Sequence, residues 1–289
     1  MILVTGATGN LGKATIHSLV EKGIATSDIT ALVRDDTKAA DLKSKGVQVK
    51  LGDYQDVESL KNAFQGVDKL LLISSSAAIA YRFGQHKNAI DAATETGVRH
   101  LIYTGFEMKD LNQSTMTEDV QYHAYTADYL KQAALPYTVM NNTLYADLIP
   151  FLIGKDVLDA GVCIPAGVGK TPFLPLAEMA EALAVVLTTP GHENKEYVIA
   201  AETAFSFAEI ADLLSASAGK TIACHQPEIS LYIAQLIQAG LSENDAAYIA
   251  RYAKAIGHGE FDTGKSDVKQ LLGRRPVRLE DFLRNLYGE

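Results

Sequence analysis

Apolar and polar positions follow two rhythms along the first 142 residues. Short β-rich runs stand at 2–5 (ILVT), 28–34 (DITALVR), 47–53 (VQVKLGD), 67–75 (VDKLLLISS), 98–105 (VRHLIYTG) and 136–142 (PYTVMNN). Several are continuously apolar rather than alternating, which predicts strands covered on both faces, as in a parallel sheet. Between them the spacing turns helical. Leu11, Ala14, Thr15 and Leu19 share one face of 11–22 ahead of Gly23, and Val57, Leu60, Ala63 and Phe64 share one face of 56–65 ahead of Gly66. Six strand–helix repeats in series predict an α/β fold, a Rossmann-like doubly wound parallel sheet.

After Asn142 the rhythm breaks. Residues 166–187 read as a loop followed by a helix, and 195–201 (KEYVIAA) as one more strand that should return to the main sheet. From about Phe205 the pattern is mostly helical, over 205–218, roughly 229–256, and 278–287. The expected division is a Rossmann domain over 1–146 and 176–201, with a smaller, mostly helical lobe over 147–175 and 202–289.

Composition narrows the classes. With 289 residues, 47% apolar and 21% charged, the chain can bury a core that needs no metal or disulfide. Its net charge of −9 argues against nucleic acid or an anionic membrane as partner. Cys163 and Cys224 lack metal-type spacing and read as reduced packing residues. His17, His86, His100, His192, His225 and His258 are scattered without ligand spacing, so no metal is expected. No apolar run approaches the ~20 residues of a membrane span. The first strand begins at residue 2 and leaves no room for a signal peptide, which makes the cytoplasm the expected compartment.

The chemistry begins at VTGATGNLG. Gly6, Gly9 and Gly12 lie between the first strand and the first helix. Glycines there permit a tight turn, close approach of backbone N–H groups to a pyrophosphate, and close helix–strand packing. The spacing is G-x-x-G-x-x-G, and its position at the head of a βαβ series is the context that confirms such a motif. Arg34 ends the second strand, where an arginine suits the 2′-phosphate of NADP(H) and an acid would suit the ribose of NAD(H). Asp35 and Asp36 follow at once, so NADP(H) is favoured without excluding NAD(H). Asp53, after the third strand with Tyr54 alongside, is placed to accept from an adenine amino group; the alternative is that Asp53 or Asp56 caps the next helix. Ser74, Ser75 and Ser76 follow the fourth strand, at the end of the sheet where ligands bind.

With these segments, and with ALVRDDTKA, GDYQDVESL, GVRHLIYTG, LPYTVMNNTLY and GHENKEYVIA, the chain resembles the NmrA-like atypical short-chain dehydrogenase/reductases over nearly its whole length, in particular their quinone-reductase and triphenylmethane-reductase types. The resemblance implies that Gly6, Thr8, Gly9, Asn10, Leu11 and Gly12 form the cofactor loop and that Arg34 meets the adenosine phosphate. It places Ser74 and Ser75 on the ribose and nicotinamide side, and Thr104, Gly105 and Phe106 beside the nicotinamide. His123 matches a histidine at the head of the following helix, and Asn142 and Tyr145 match pocket residues. Asn141 departs from a typical arginine and Asp128 from a helix lysine, which removes positive charge near the expected site.

None of the 13 tyrosines has a lysine four residues later. A Tyr-x-x-x-Lys pair would exchange the carbonyl proton in alcohol–ketone chemistry, with lysine depressing the phenol pKa. Without it, hydride transfer to a conjugated acceptor such as a quinone or a cationic dye fits better, because the acceptor spreads the arriving charge. Phe106, Tyr122, Tyr125 and Tyr145 are candidate walls for such a ring. Tyr122, Tyr125 and Tyr129, at i, i+3 and i+7, also read as one packing face of a helix. Pocket candidates are therefore Phe106, His123, Tyr125, Asn142 and Tyr145, and none is singled out as catalytic. The leading expectation is an NAD(P)H-dependent reductase of a small aromatic acceptor. A non-catalytic dinucleotide-binding redox sensor is the second reading, and a nucleoside-diphosphate-sugar epimerase-like enzyme a third that the missing dyad disfavours. A homodimer, or a protein partner in the regulatory case, is compatible with the sequence.

Overall fold

The structure, a computed structural model, describes residues 1–154 and 156–288. Its strands are β1 (Ile2–Val4), β2 (Ile29–Val33), β3 (Gln48–Leu51), β4 (Lys69–Leu72), β5 (His100–Phe106), β6 (Tyr137–Asn142), β7 (Val162–Cys163), β8 (Lys195–Ile199) and β9 (Cys224–His225). The first part of the chain carries α1 (Asn10–Glu21), α2 (Ala40–Ser44), α3 (Val57–Phe64), α4 (Ile79–Glu95), α5 (Thr117–Gln132), α6 (Ile149–Ile153) and α7 (Val157–Ala160). The remainder carries α8 (Leu176–Thr188), α9 (Phe207–Ala218), α10 (Ile229–Gln238), α11 (Glu243–Gly257), α12 (Val268–Leu272) and α13 (Leu279–Tyr287).

Seven strands form one parallel sheet in the order β3-β2-β1-β4-β5-β6-β8. The continuous apolar runs are explained by the two covered faces. Leu70 and Leu72 pack among the side chains of α3, α4 and α5, whereas Leu71 between them packs with Leu19 of α1 and Leu183 of α8. All three leucines are fully buried. A third apolar cluster joins residues after β5 and β6 to α9, α11 and α13, with Phe173, Phe207 and Phe261 at its centre. Arg251 of α11 holds the buried Asp119 of α5 in a two-pronged pair at 2.6 and 3.0 Å, which ties this cluster to the sheet's helical layer. The outer edge of β8 is closed by Asp267, whose carboxylate accepts from the Val198 N–H at 2.7 Å. That contact removes an edge open to strand pairing.

The predicted helix over 229–256 is two helices. Gly240 stands at φ 98°, and Ser242 accepts from the Asp245 N–H to start α11. A left-handed glycine ends one helix and a serine N-cap opens the next. The β7–β9 pair has two residues per strand and carries no periodic signal that a sequence could show.

Candidate functional site

The sheet's crossover point fixes where a ligand fits. β1 and β4 are neighbours, with β2 and β3 wound to one side and β5, β6 and β8 to the other. A cleft of about 850 Å³ opens beyond the carboxyl ends of these strands, the position where doubly wound sheets bind ligands. Its floor is the β1–α1 turn. Gly6 adopts φ 57°, and the Gly9 N–H donates to its carbonyl at 2.9 Å. Gly9 is the N-cap of α1, with no side chain capping the helix and no acid in its first turn. The first N–H groups of α1 are therefore left for an anion, and the helix dipole favours one. A Cβ on Gly12 would fall on the Gly6 carbonyl and within 2.8 Å of the Ala7 Cα. This glycine is needed for close helix–strand packing.

Gly6, Thr8, Gly9, Asn10, Leu11, Gly12, Arg34, Asp53, Ser74, Ser75 and Tyr145 all border the cleft. The two acids after Arg34 are engaged elsewhere. Asp35 accepts from the Thr37 N–H at 3.0 Å and the Thr37 hydroxyl at 2.6 Å, and these bonds lower its pKa. Asp36 pairs with Lys43 at 2.5 Å. The cleft wall at this end is cationic, formed by Arg34 with Lys38 from the turn that Asp35 starts. Lys38 was legible only as the fourth residue past Arg34 in RDDTK. Asp53 is not the helix cap, because Asp56 caps α3 by accepting from the Ser59 N–H. Asp53 accepts from the Gln55 N–H at 2.9 Å. The Tyr54 hydroxyl lies 2.8 Å from the Ile73 carbonyl and 2.5 Å from the Thr5 hydroxyl, and burial raises its pKa. It thereby joins the ends of β1 and β4 under the cleft.

The residues expected on the far side are more dispersed. Thr104 is buried behind the wall, where its hydroxyl accepts from the Ser74 N–H at 2.8 Å. A Cβ on Gly105 would strike the Asn141 amide, so this glycine serves strand packing. Phe106, His123, Tyr125 and Asn142 do not border the cleft. Phe106 stacks on His123 with ring centroids 5.5 Å apart. His123 is a core histidine: its Nδ1 lies 2.8 Å from the Tyr103 hydroxyl, and burial, then His86 and Arg82, hold its pKa well below the usual value. The Asn142 Oδ1 is buried without a hydrogen bond, beside Tyr145, whose phenol burial pushes up to about 12.

The single packing face of Tyr122, Tyr125 and Tyr129 is corrected. The buried side of α5 carries Val120, Tyr122, His123, Thr126 and Leu130. Tyr125 is 48% exposed and meets Phe83 edge to face, with ring centroids 5.9 Å apart. Residues 122, 126 and 130 repeat at four-residue intervals, close to the 3.6-residue turn, whereas position 125 falls toward solvent. Tyr129 is half-buried and donates to Asp91 at 2.6 Å.

The NmrA-like family model matches residues 1–283. The chain belongs to the NmrA-like family. It is 34% identical to quinone oxidoreductase 2 of Escherichia coli strain K12, over 100% of this chain and 99% of the relative. It is 29% identical to the NAD(P)H azoreductase of Xenophilus azovorans, over 96% and 94%. The crystal structure of Citrobacter sp. triphenylmethane reductase complexed with NADP(H) superposes with a TM-score of 0.92 at 34% identity, covering 99% of this chain and 100% of that one. Among the described residues no helix is long and apolar enough to cross a membrane, and no group of three His, Cys, Asp or Glu is placed to hold a metal.

Proposed function

We infer that this family member is an NAD(P)H-dependent reductase that uses NADP(H) and reduces a quinone-like or other conjugated aromatic acceptor. The observation that carries the cofactor reading is the cationic wall: Arg34 and Lys38 face the cleft while Asp35 and Asp36 are bonded elsewhere. The names of the quinone, azo and triphenylmethane reductases, each matched over nearly the full chain, support the acceptor class.

The residues present fit such a dinucleotide. The N–H groups at the start of α1 would hold the pyrophosphate, Arg34 and Lys38 the 2′-phosphate, and Asp53 would accept from the adenine amino group. Ser74, Ser75 and Tyr145 also border the cleft and would meet the nicotinamide end. The bound dinucleotide supplies a hydride. Tyr145, Leu148 and Phe151 give the cleft apolar surface against which an acceptor ring would pack.

The test is to mix the purified protein with NADPH and a panel of quinones and follow loss of the reduced-cofactor absorbance. Turnover is expected. Tight NADPH binding without oxidation by any acceptor would overturn the reductase reading in favour of a redox sensor. Arg34→Gln is expected to raise the Kd for NADPH about 10- to 100-fold, as for a lost hydrogen bond to a charged group. The Kd for NADH should change less than about threefold, since NADH lacks the phosphate. Equal weakening of both cofactors would remove Arg34 from the 2′-phosphate role.

A further inference from the structure

The chain has no tyrosine with lysine one helical turn later, yet it places a cation on a tyrosine from another helix. Arg82 of α4 donates through Nη1 to the Tyr122 hydroxyl of α5 at 2.8 Å. Its Nε donates to the Ala77 carbonyl at 2.7 Å, which anchors the guanidinium to the loop after β4 that borders the cleft. Groups favouring the charged form of Arg82 are phenols, Tyr122 first, then Tyr248 and Tyr252 of α11. The guanidinium therefore points its charge at tyrosine oxygen rather than into a carboxylate pair.

Tyr122 is buried, and its surroundings single out Arg82 as the charged neighbour. From α4 it faces Arg82 and His86, from β5 Tyr103, and from its own helix His123. Tyr145 lies beyond β6, and Tyr248 and Tyr252 lie on α11. The imidazoles are neutral, since burial and Arg82 push the His86 pKa down to about 3 and hold that of His123 low. Burial raises the Tyr122 pKa while Arg82 opposes it. The phenol is thus protonated at neutral pH, and the phenolate it would leave is stabilised by the guanidinium.

Ser74 connects this pair to the cleft. The residue borders the cleft, but its hydroxyl is buried and without a hydrogen bond, on the side of the Tyr103 and Tyr122 phenols. A hydroxyl with no bond to hold it has a freely rotating hydrogen, so its oxygen can accept from a phenol while its O–H donates toward the cleft.

We propose that Arg82, Tyr122 and Ser74 form a proton relay that replaces the missing Tyr-x-x-x-Lys pair and supplies the proton that a quinone acceptor needs. This proposal rests on the reductase reading above. Reduction of a quinone to hydroquinone consumes one hydride, from the reduced nicotinamide, and one proton. That proton leaves the Ser74 hydroxyl for the acceptor oxygen as Ser74 takes the Tyr122 proton. Arg82 holds the resulting phenolate until solvent reprotonates it. Arg82 is a positioning residue in this scheme. A triarylmethyl cation needs the hydride alone, since adding it gives the neutral leuco dye directly.

The experiment compares wild type with Tyr122→Phe, Ser74→Ala, Arg82→Gln and Arg82→Lys on a benzoquinone and on a cationic triphenylmethane dye, with NADPH affinity measured separately. Tyr122→Phe is expected to lower kcat on the quinone about 100-fold, in the range of a lost general acid. Its loss on the dye should be at least about tenfold smaller, and its NADPH Kd should stay within about threefold. Arg82→Lys should restore most of what Arg82→Gln loses on the quinone. Equal losses on both acceptors, or an undiminished quinone kcat in Tyr122→Phe, would overturn the relay while leaving the reductase function standing. A readout without turnover uses tyrosine labelled with carbon-13 at Cζ, titrated upward from about pH 8 until the Tyr122 signal shifts and assigned with Tyr122→Phe. The Tyr122 signal should titrate at lower pH in wild type than in Arg82→Gln. An identical titration in the two would overturn the pair even if no acceptor were reduced.

Discussion

Gly12→Ala is expected to weaken NADPH binding by more than about 100-fold and to lower the Tm by several degrees. The added Cβ runs into the Gly6–Ala7 backbone: the Gly6 carbonyl, its carbon at 2.9 Å, and the Ala7 Cα at 2.8 Å. None of these is the end of a flexible side chain, so α1 must retreat from the β1 turn. Overpacking of this kind costs about 1–3 kcal/mol, and in a chain of this size each kcal/mol lowers Tm by about 2–4 °C. The larger effect is on the ligand. The anion site consists of the Gly6 turn and the first N–H groups of α1, and moving the helix separates the two. Gly9→Ala is the internal control, since its Cβ would approach only the Gly6 carbonyl, at 3.3 Å. Titration calorimetry with NADPH and a thermal melt measure both effects. Native NADPH affinity in folded Gly12→Ala protein would remove the dinucleotide from this cradle.

The glycine turn could be read from the sequence because its function and its geometry use the same residues at a fixed spacing. The strands were equally legible: burial on two faces leaves continuous apolar runs such as LLL at 70–72, and position in the series then orders them. Side-chain partnership was not legible. Asp35 and Asp36 stand where an NAD-type acid would stand, and only the bonds to Thr37 and Lys43 show that both are engaged elsewhere. The tyrosines of α5 failed for a related reason. Spacing of three and seven marks a common face only approximately, and the helix turned Tyr122 inward while leaving Tyr125 at the surface. The Arg82–Tyr122 contact joins residues forty positions apart on different helices, so no local motif could have announced it. A missing lysine in sequence is thus compatible with a cation present in space.

Acidification is expected to destabilise the protein strongly between about pH 6.5 and about pH 5, above the range where ordinary carboxylates titrate. Three buried histidines set this window. His86 accepts from the Ser75 N–H through Nε2 at 2.8 Å, which leaves its proton on Nδ1, 2.9 Å from the Thr126 hydroxyl. His100 meets the Thr138 hydroxyl through Nε2 at 2.8 Å, while its Nδ1 is buried with no hydrogen bond. His123 takes the Tyr103 hydroxyl on Nδ1. Burial dominates in each, pushing the His86 pKa down to about 3, that of His100 to about 4, and that of His123 well below the usual value. Between the folded value and about 6.5 the unfolded chain binds protons that the folded chain refuses, so stability is complete above pH 6.5 and falls with pH below it. At pH 5 this withdraws about 2 kcal/mol for each of His86 and His100, a large share of a typical total of about 5–15 kcal/mol. His123 adds in the same direction. Glu107, whose pKa burial raises, works in the opposite direction and offsets part of the loss. Urea melts at about pH 7.5, 6 and 5 measure the slope, and His100→Gln should flatten it by about one proton. His86 also links stability to the site: its Nε2 accepts from the Ser75 N–H, and because the folded imidazole stays neutral over this range, the NADPH affinity of the folded protein should hold while stability falls. A midpoint constant from pH 7.5 to 5 would show that the three imidazoles are not held neutral by the fold.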